Sequence, residues 1–304
     1  MEKLDFVSTG NRKINHIVSN SLVHLIFTML GILCTLPILL VITASLSDEM
    51  DIINYGYSFI PKKLTVNAYI TIFMNPSQLL HSYFITCVAT IAGTVIGVWL
   101  VTTMAYVITR KDYKYRNILS FFIFFTMLFN GGLVPSYILV SRWLHMKDTI
   151  FALFVPALFN AFYVLLMKGF LQSIPDSLYE SAKLDGAREI NIFLRIVLPL
   201  SKPAAATVAL FYALQFWNDW FLCSFYTDGK QYLTLQTMLI RVLRNLEFLN
   251  SAEGRMLAGT QNIQQPLLSA RMAICILAAG PMLFVFPFFQ KYFVKGLTIG
   301  SIKG

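Results

Sequence analysis

Apolar positions gather into six long runs separated by shorter polar stretches. The runs extend from Val23 to Leu46, Leu80 to Ile108, Ile118 to Val140, Thr149 to Met167, Ala204 to Phe225 and Met272 to Phe293. A bilayer core about 30 Å thick takes roughly 20 apolar residues of helix, so each run predicts one membrane span. The first run is far longer than the apolar stretch of about 7–15 residues in a secretory signal, and predicts a retained first helix. The implied organisation is an N-terminal segment 1–22, a first helix 23–46, an outer loop 47–79, a five-helix core 80–293 and a tail 294–304. Within that core, 226–270 is a second outer loop with a small helix over Leu235 to Leu249, and 168–202 is an inner loop.

Composition removes the competing classes. Of 304 residues, 57% are hydrophobic and 13% charged, where a soluble domain carries roughly a quarter charged residues. Apolar content this high excludes disorder. Cys34, Cys87, Cys223 and Cys275 are widely spaced within apolar runs and read as small buried hydrophobes, not as a disulfide framework. With the N-terminus inside, the inner segments carry fifteen Lys and Arg and the outer ones nine, in considerably more sequence. That bias places both termini in the cytoplasm. It also accounts for most of the +9 net charge, so the charge adds nothing to a nucleic-acid reading.

The inner loop is too long for a simple connection, since such links normally run a few residues. From Pro175 to Pro199 it reads PDSLYESAKLDGAREINIFLRIVLP. Pro175 suits a first helical turn, and Ser177 with Glu180 has capping-box spacing. Leu178, Ala182 and Asp185 fall on one helical stripe; Gly186 interrupts; Ile190, Phe193, Leu194 and Val197 form a second stripe. A helix–turn–helix whose apolar stripe is too short to span must lie on lipid or against a partner.

Glu180-Ser181-Ala182, three residues, Gly186, nine residues, then Ile196-x-Leu198-Pro199 resembles the EAA loop of permease subunits in ABC importers. Ser181 departs from the usual alanine, a small-for-small change. The stretches FNGGLVPSYILV, FYALQFWNDWF and QKYFVKGLTIGSIKG resemble the carbohydrate-uptake branch, its maltose (MalG) type and the LplC/YtcP-like group, over essentially the whole chain. The resemblance implies an all-α polytopic membrane protein with the type I importer (MetI-like) permease fold and cytoplasmic EAA coupling helices. It implies no enzyme activity and no cofactor on this chain, with ATP and Mg on partner ATPase subunits. The implied partners are a second homologous permease, two ATPase subunits, an extracytoplasmic sugar-binding protein and the bilayer, and no nucleic acid. The implied location is the bacterial cytoplasmic membrane.

In that frame Glu180, Ser181, Ala182, Asp185, Gly186, Ile196, Leu198 and Pro199 are the ATPase-coupling candidates. Glu180 has two readings, a partner for a basic group on the ATPase or the closing half of its own capping box. The tail residues Gly300, Lys303 and Gly304 read either as an ATPase-interface extension, as in the resembled maltose permease, or as a basic end beside anionic lipid.

Polar residues inside spans are costly and therefore informative. Gln215, Asn218 and Asp219 share one side of the fifth span, with Trp217 and Trp220 beside them. They read as a sugar contact in the transport path or as an interfacial aromatic belt. Asn130, Gly131, Gly132 and Pro135 interrupt the third span, a hinge or gate on one reading and a packing kink on the other. Gly93-x-x-x-Gly97 offers close helix packing. The outer run Gln261, Asn262, Gln264 and Gln265 is either a binding-protein contact or a solvated loop. No phosphate-cradling Gly-rich motif with Lys occurs, and the four histidines lack metal-ligand spacing. The leading expectation is a carbohydrate importer permease, with an oligosaccharide as its substrate. An ion-coupled secondary transporter and a polytopic membrane enzyme are the alternatives, each needing paired intramembrane groups that the spacing does not offer.

Overall fold

The computed structural model describes residues 3–74, 76–251, 253 and 266–300, with the backbone alone at 3–20 and 289–300. These residues are overwhelmingly helical, and their only β pairing is an isolated Ser47–Leu64 bridge. The chain divides into two units, 1–74 with 245–276 and 75–244 with 277–304.

In the first unit, α1 (Lys3–Ser45) is one uninterrupted helix whose apolar stretch from Ser21 is exposed along most of its length, with Ala44 and Ser45 buried at its end. Two short helices follow, α2 (Glu49–Tyr55) and α3 (Asn67–Ile72). Asp48 starts α2 by accepting the Met50 N–H at 3.1 Å, the usual answer to an unpaired first-turn donor. Glu49 reaches much further along the chain. Its carboxylate accepts the main-chain N–H groups of Leu267, Leu268 and Ser269 at 2.8–3.0 Å, and the Ser269 hydroxyl at 2.9 Å. These are the open donors at the start of α14 (Leu267–Gly300), where a negative charge also meets the positive end of the helix dipole.

The second unit is organised on α4 (Pro76–Thr109), the longest helix described there. Its main neighbour is α11 (Lys202–Trp217). The small residues of α4 set that approach: a Cβ on Gly93 would stand 2.5 Å from the Phe216 ring, and one on Gly97 2.9 Å from the Tyr212 ring. The two rings stack on each other with centroids 5.7 Å apart. The buried Tyr212 hydroxyl donates to the Leu158 carbonyl at 2.5 Å. Close packing through small residues stands in for the hydrophobic drive that lipid does not supply.

Three of the predicted spans are broken. The run 118–140 becomes α5 (Arg116–Leu128) and α6 (Leu133–Ile138), the latter continuing as a π-helical turn Leu139–Trp143, with a 113° bend between the pieces. Gly132 sits at φ +86° and its N–H bonds back to the Asn130 side chain at 2.8 Å, a local turn that competes with the helix. The run 149–167 becomes two 3₁₀ turns, Ile150–Leu153 and Val155–Ala157, then α7 (Ala161–Leu171), bent by 55°. Asn160 restarts it by accepting the N–H groups of Phe162 and Tyr163. The run 204–225 stops at Trp217 and resumes as α12 (Phe221–Tyr226), before α13 (Leu235–Asn250). Among the described residues three helices are long and apolar enough to cross a bilayer unaided, or up to six spans if each bent pair counts as one, the third such pair being Glu189–Leu200 with Lys202–Trp217, bent by 77°.

The cysteines correct one expectation. Only Cys223 is buried, while Cys34, Cys87 and Cys275 are exposed. In a membrane an apolar run faces lipid as readily as protein, so apolar surroundings in sequence do not imply burial.

Candidate functional site: the hairpin between Pro175 and Pro199

The hairpin is built from α8 (Asp176–Leu184), a turn, α9 (Glu189–Ile192), a π-helical turn Phe193–Val197 and the short α10 (Leu198–Leu200). The predicted capping box does not form. Pro175 takes the N-cap position and places Ser177 inside the first turn, where its hydroxyl has no capping bond. Glu180 is therefore not tied to its own helix start; it is exposed and has no bonding partner among the described residues.

The turn has a clear physical basis. The Ala187 N–H donates to the Ala182 carbonyl at 2.9 Å and the Gly186 N–H to that of Lys183 at 3.0 Å, a pairing that closes a helix end around a residue in the left-handed region. Gly186 is that residue, at φ +76°. At the other end Pro199 has no N–H for the helical ladder. The wider π turn ahead of it absorbs the mismatch, with Leu198 N–H reaching back to Phe193.

The two faces divide differently from the predicted stripes. Tyr179, Ala182, Ile192, Phe193 and Val197 turn into the core of the second unit. Leu178 and Asp185, expected beside Ala182, are exposed, because Tyr179 one position on takes the inward place. Of the second stripe only Phe193 and Val197 face inward; Ile190 is 64% exposed and Leu194 43%. With Leu184 at 88%, they leave an apolar outward surface beside Glu180, Ser181 and Gly186, which are also exposed. Ile196 and Leu198 are half-buried and Pro199 is exposed.

Behind this surface lies a charged cluster. Lys183 Nζ pairs with Glu189 at 2.9 Å across the Gly186 turn, and with Asp112 in the connection after α4. The bond from Lys183 holds the Asp112 carboxyl below the usual carboxylate range, and bonds to Asp112 and Glu189 raise Lys183. Arg110 pairs with Asp112 at 3.3 Å and Glu189 at 3.7 Å, while the Tyr106 hydroxyl donates to Glu189 at 2.5 Å. Lys111 ties Asp176 at 2.5 Å. A cavity of about 640 Å³ opens here, lined among others by Arg110, Arg116, Lys168, Glu180 and Lys183. Linear reading missed these partners: the basic residues entered only as an orientation count, and no local spacing links Lys183 to a carboxylate 71 positions earlier.

The transport-path candidates do not form one face. Trp217 is buried and its indole N–H donates to the Ala278 carbonyl at 2.8 Å, so its ring packs inside the chain. Asp219 accepts the Leu222 N–H at 3.1 Å and caps α12. That capping is the reason for the break, since a carboxylate two residues before Phe221 satisfies the new helix's open donors. Gln215 accepts the Tyr163 hydroxyl at 3.2 Å. Asn218 and Trp220 are exposed. At the break in the third span Asn130, Gly131, Gly132 and Pro135 are all exposed. Gly300 closes the described part of α14; Lys303 and Gly304 lie outside the described residues, as do Gln261, Asn262, Gln264 and Gln265.

Residues 9–299 match the family of binding-protein-dependent transport system inner membrane components. This chain belongs to that family. Among its relatives, the protein LplC of Bacillus subtilis (strain 168) is 38% identical, over 90% of this chain and 91% of that one. The polygalacturonan/rhamnogalacturonan transport system permease protein YtcP of the same organism is 35% identical, over 93% of this chain and 97% of its own. A bacterial ABC transporter involved in importing the acidic polysaccharide alginate has a solved chain with TM-score 0.73 and 27% identity, covering 92% of this chain and 97% of that one. The family fixes the class of activity: the chain is a membrane-embedded transport subunit of an ABC importer and not an enzyme.

Proposed function

We propose that this permease imports an oligosaccharide, and that the hairpin 175–199 is the part an ATPase subunit grips. The single observation that supports the second point most directly is the outward surface of Leu184, Ile190 and Leu194 beside an unpartnered Glu180, on a hairpin whose opposite face is anchored in the chain. An apolar patch with one open carboxylate suits a partner cleft that supplies a basic group. The likeness to a polygalacturonan/rhamnogalacturonan permease and to an alginate importer supports the substrate class.

In this reading both termini and the hairpin lie in the cytoplasm, which the bias of Lys and Arg supports. The partners are a second permease, two ATPase subunits that hold ATP and Mg, and an extracytoplasmic binding protein. Closure of the ATPase pair pulls the hairpins and turns the pathway from inward- to outward-facing, and the binding protein then releases sugar into it. Asn218 and Trp220 are the sugar-path candidates that remain exposed, the break at 130–132 is the hinge, and the tail through Gly300 to Lys303 and Gly304 meets the ATPase interface.

The test is uptake by cells carrying Glu180→Lys or Gly186→Trp, with the binding protein screened by thermal shift against galacturonate, arabinose and alginate oligosaccharides to choose the sugar. Both variants are expected to insert at wild-type levels and to lose uptake. Normal transport by both would remove the docking assignment, and a binding protein that ignores every oligosaccharide would remove the substrate class.

A further inference from the structure

We propose that Arg110 is the positioning residue that locks the hairpin to α4, so that the two move as one body when an ATPase subunit closes. The inference rests on the docking reading above. Along the main chain the route from α4 to α8 is long and jointed: it runs through α5, the 113° break, and the second bend before α7. A pull on the hairpin transmitted by that route alone would be taken up at its joints. The side chain of Arg110 offers a direct route.

Arg110 follows the last residue of α4, and its side chain is only 13% exposed. Its guanidinium lies 4.6 Å from the centre of the Tyr179 ring on α8 and 5.8 Å from that of Tyr106 on α4. It pairs with Asp112 in the following connection and with Glu189 at the start of α9. One planar cation therefore touches α4, the connection after it, and both arms of the hairpin. Tyr106 and Lys183 close the arrangement, the first bonding Glu189 and the second bridging Glu189 to Asp112. An isolated exposed ion pair contributes little to holding two elements together. Here each carboxylate is shared between two cations, and the arginine plane is stacked and largely withdrawn from water, so ordering one member orders the next. Lysine cannot replace it, because an ammonium lacks the plane that lies over the Tyr179 face while the same group meets Asp112 and Glu189.

The experiment uses the full complex in lipid nanodiscs, with the native cysteines replaced and nitroxide pairs placed at two positions. The pair Ser177→Cys and Lys114→Cys spans the hairpin and the connection after α4, with both labels at exposed positions outside the proposed ATPase contact. The pair Leu80→Cys and Trp143→Cys reports on more distant segments of the permease. In the parent chain the first distance distribution is expected to stay narrow and unmoved between nucleotide-free and vanadate-trapped states, while the second shifts. In Arg110→Ala and Arg110→Lys the first distribution is expected to broaden at least twofold and the second shift to vanish, with ATP hydrolysis within twofold of the parent. An unchanged first distribution in Arg110→Ala overturns the proposal, as does a hydrolysis rate that falls in step with the lost shift, the mark of a general structural defect. Failure of the docking reading looks different: the ATPase would not co-purify through the hairpin in the parent, while Arg110→Ala would still loosen it.

Discussion

Tyr83 donates its phenolic hydroxyl to the main-chain carbonyl of Leu277 at 2.9 Å, and that carbonyl is the one Pro281 leaves open. A proline inside a helix has no N–H for the carbonyl four residues earlier, and Pro281 lies within α14. The bond therefore ties α4 to α14 at the point where α14's own ladder is interrupted. Tyr83→Phe removes the donor and nothing else of size. The expected cost is about 1 kcal/mol, read as a lower thermal midpoint in detergent, with Tyr83→Phe and Pro281→Ala together recovering most of it.

Gly93 gives a sharper packing prediction. A methyl group there would meet the Phe216 ring at 2.5 Å, so Gly93→Ala is expected to destabilise by about 1–3 kcal/mol through overpacking. Shortening the ring in the same chain, with Phe216→Leu, is expected to recover part of the loss. Thermal unfolding of the two singles and the double decides it; additive losses would mean the two do not meet.

Gly186 separates backbone strain from bulk. Its φ of +76° is costly for a side chain, yet a Cβ there would meet nothing within 4 Å. Gly186→Ala is thus expected to cost roughly 1–2 kcal/mol without a clash. Gly186→Asn, better suited to the left-handed region, should cost less. Co-purification of the ATPase should rank parent, Asn, Ala, then Trp, because only the last adds bulk to the proposed contact surface.

The Glu49 carboxylate at the start of α14 is expected to hold that helix end closed. Glu49→Ala leaves three main-chain donors open and should cost about 1–2 kcal/mol. Hydrogen exchange at Leu267, Leu268 and Ser269 is expected to quicken at least fivefold, and Glu49→Gln, which keeps the shape but not the charge, should fall between.

The Asp112–Lys183 pair sets a pH range. Asp112 is depressed in the folded chain, so its contribution is present above the ordinary carboxylate value and lost as pH falls through the lower folded one. Lys183 is raised, so its contribution is present below the ordinary lysine value and lost only as pH rises past the higher folded one. Limited proteolysis of the hairpin is therefore expected to be flat between about pH 5 and 9, and to quicken below that range. In Asp112→Asn the acid-side change should shrink and not vanish, since Glu189 in the same cluster is also held below the ordinary carboxylate range and still titrates.

Membrane residence, the class of transport subunit and the existence of a hinged hairpin were all legible in the linear order of residues. Each depends on local quantities: the length of an apolar run, the position of Gly186, the spacing from Glu180 to Pro199. The partition of the hairpin's faces was not legible, because Leu178 is the more apolar of two adjacent side chains and only the neighbouring core selects Tyr179 to face inward. The supposed capping box failed for a related reason, Pro175 taking the cap place that Ser177 needed. Trp217 and Asp219 read from sequence either as part of a sugar contact or as an interfacial belt; the folded chain supplies Trp217 with an acceptor at Ala278 and Asp219 with an open helix end at Leu222. The same holds for Arg110, whose partners Tyr179 and Glu189 lie 69 and 79 positions further along. Sequence pattern governs what a segment can be, since burial against lipid or water acts on each stretch separately; which polar group meets which is settled by tertiary packing, because a buried donor or charge takes whatever partner the fold brings within reach.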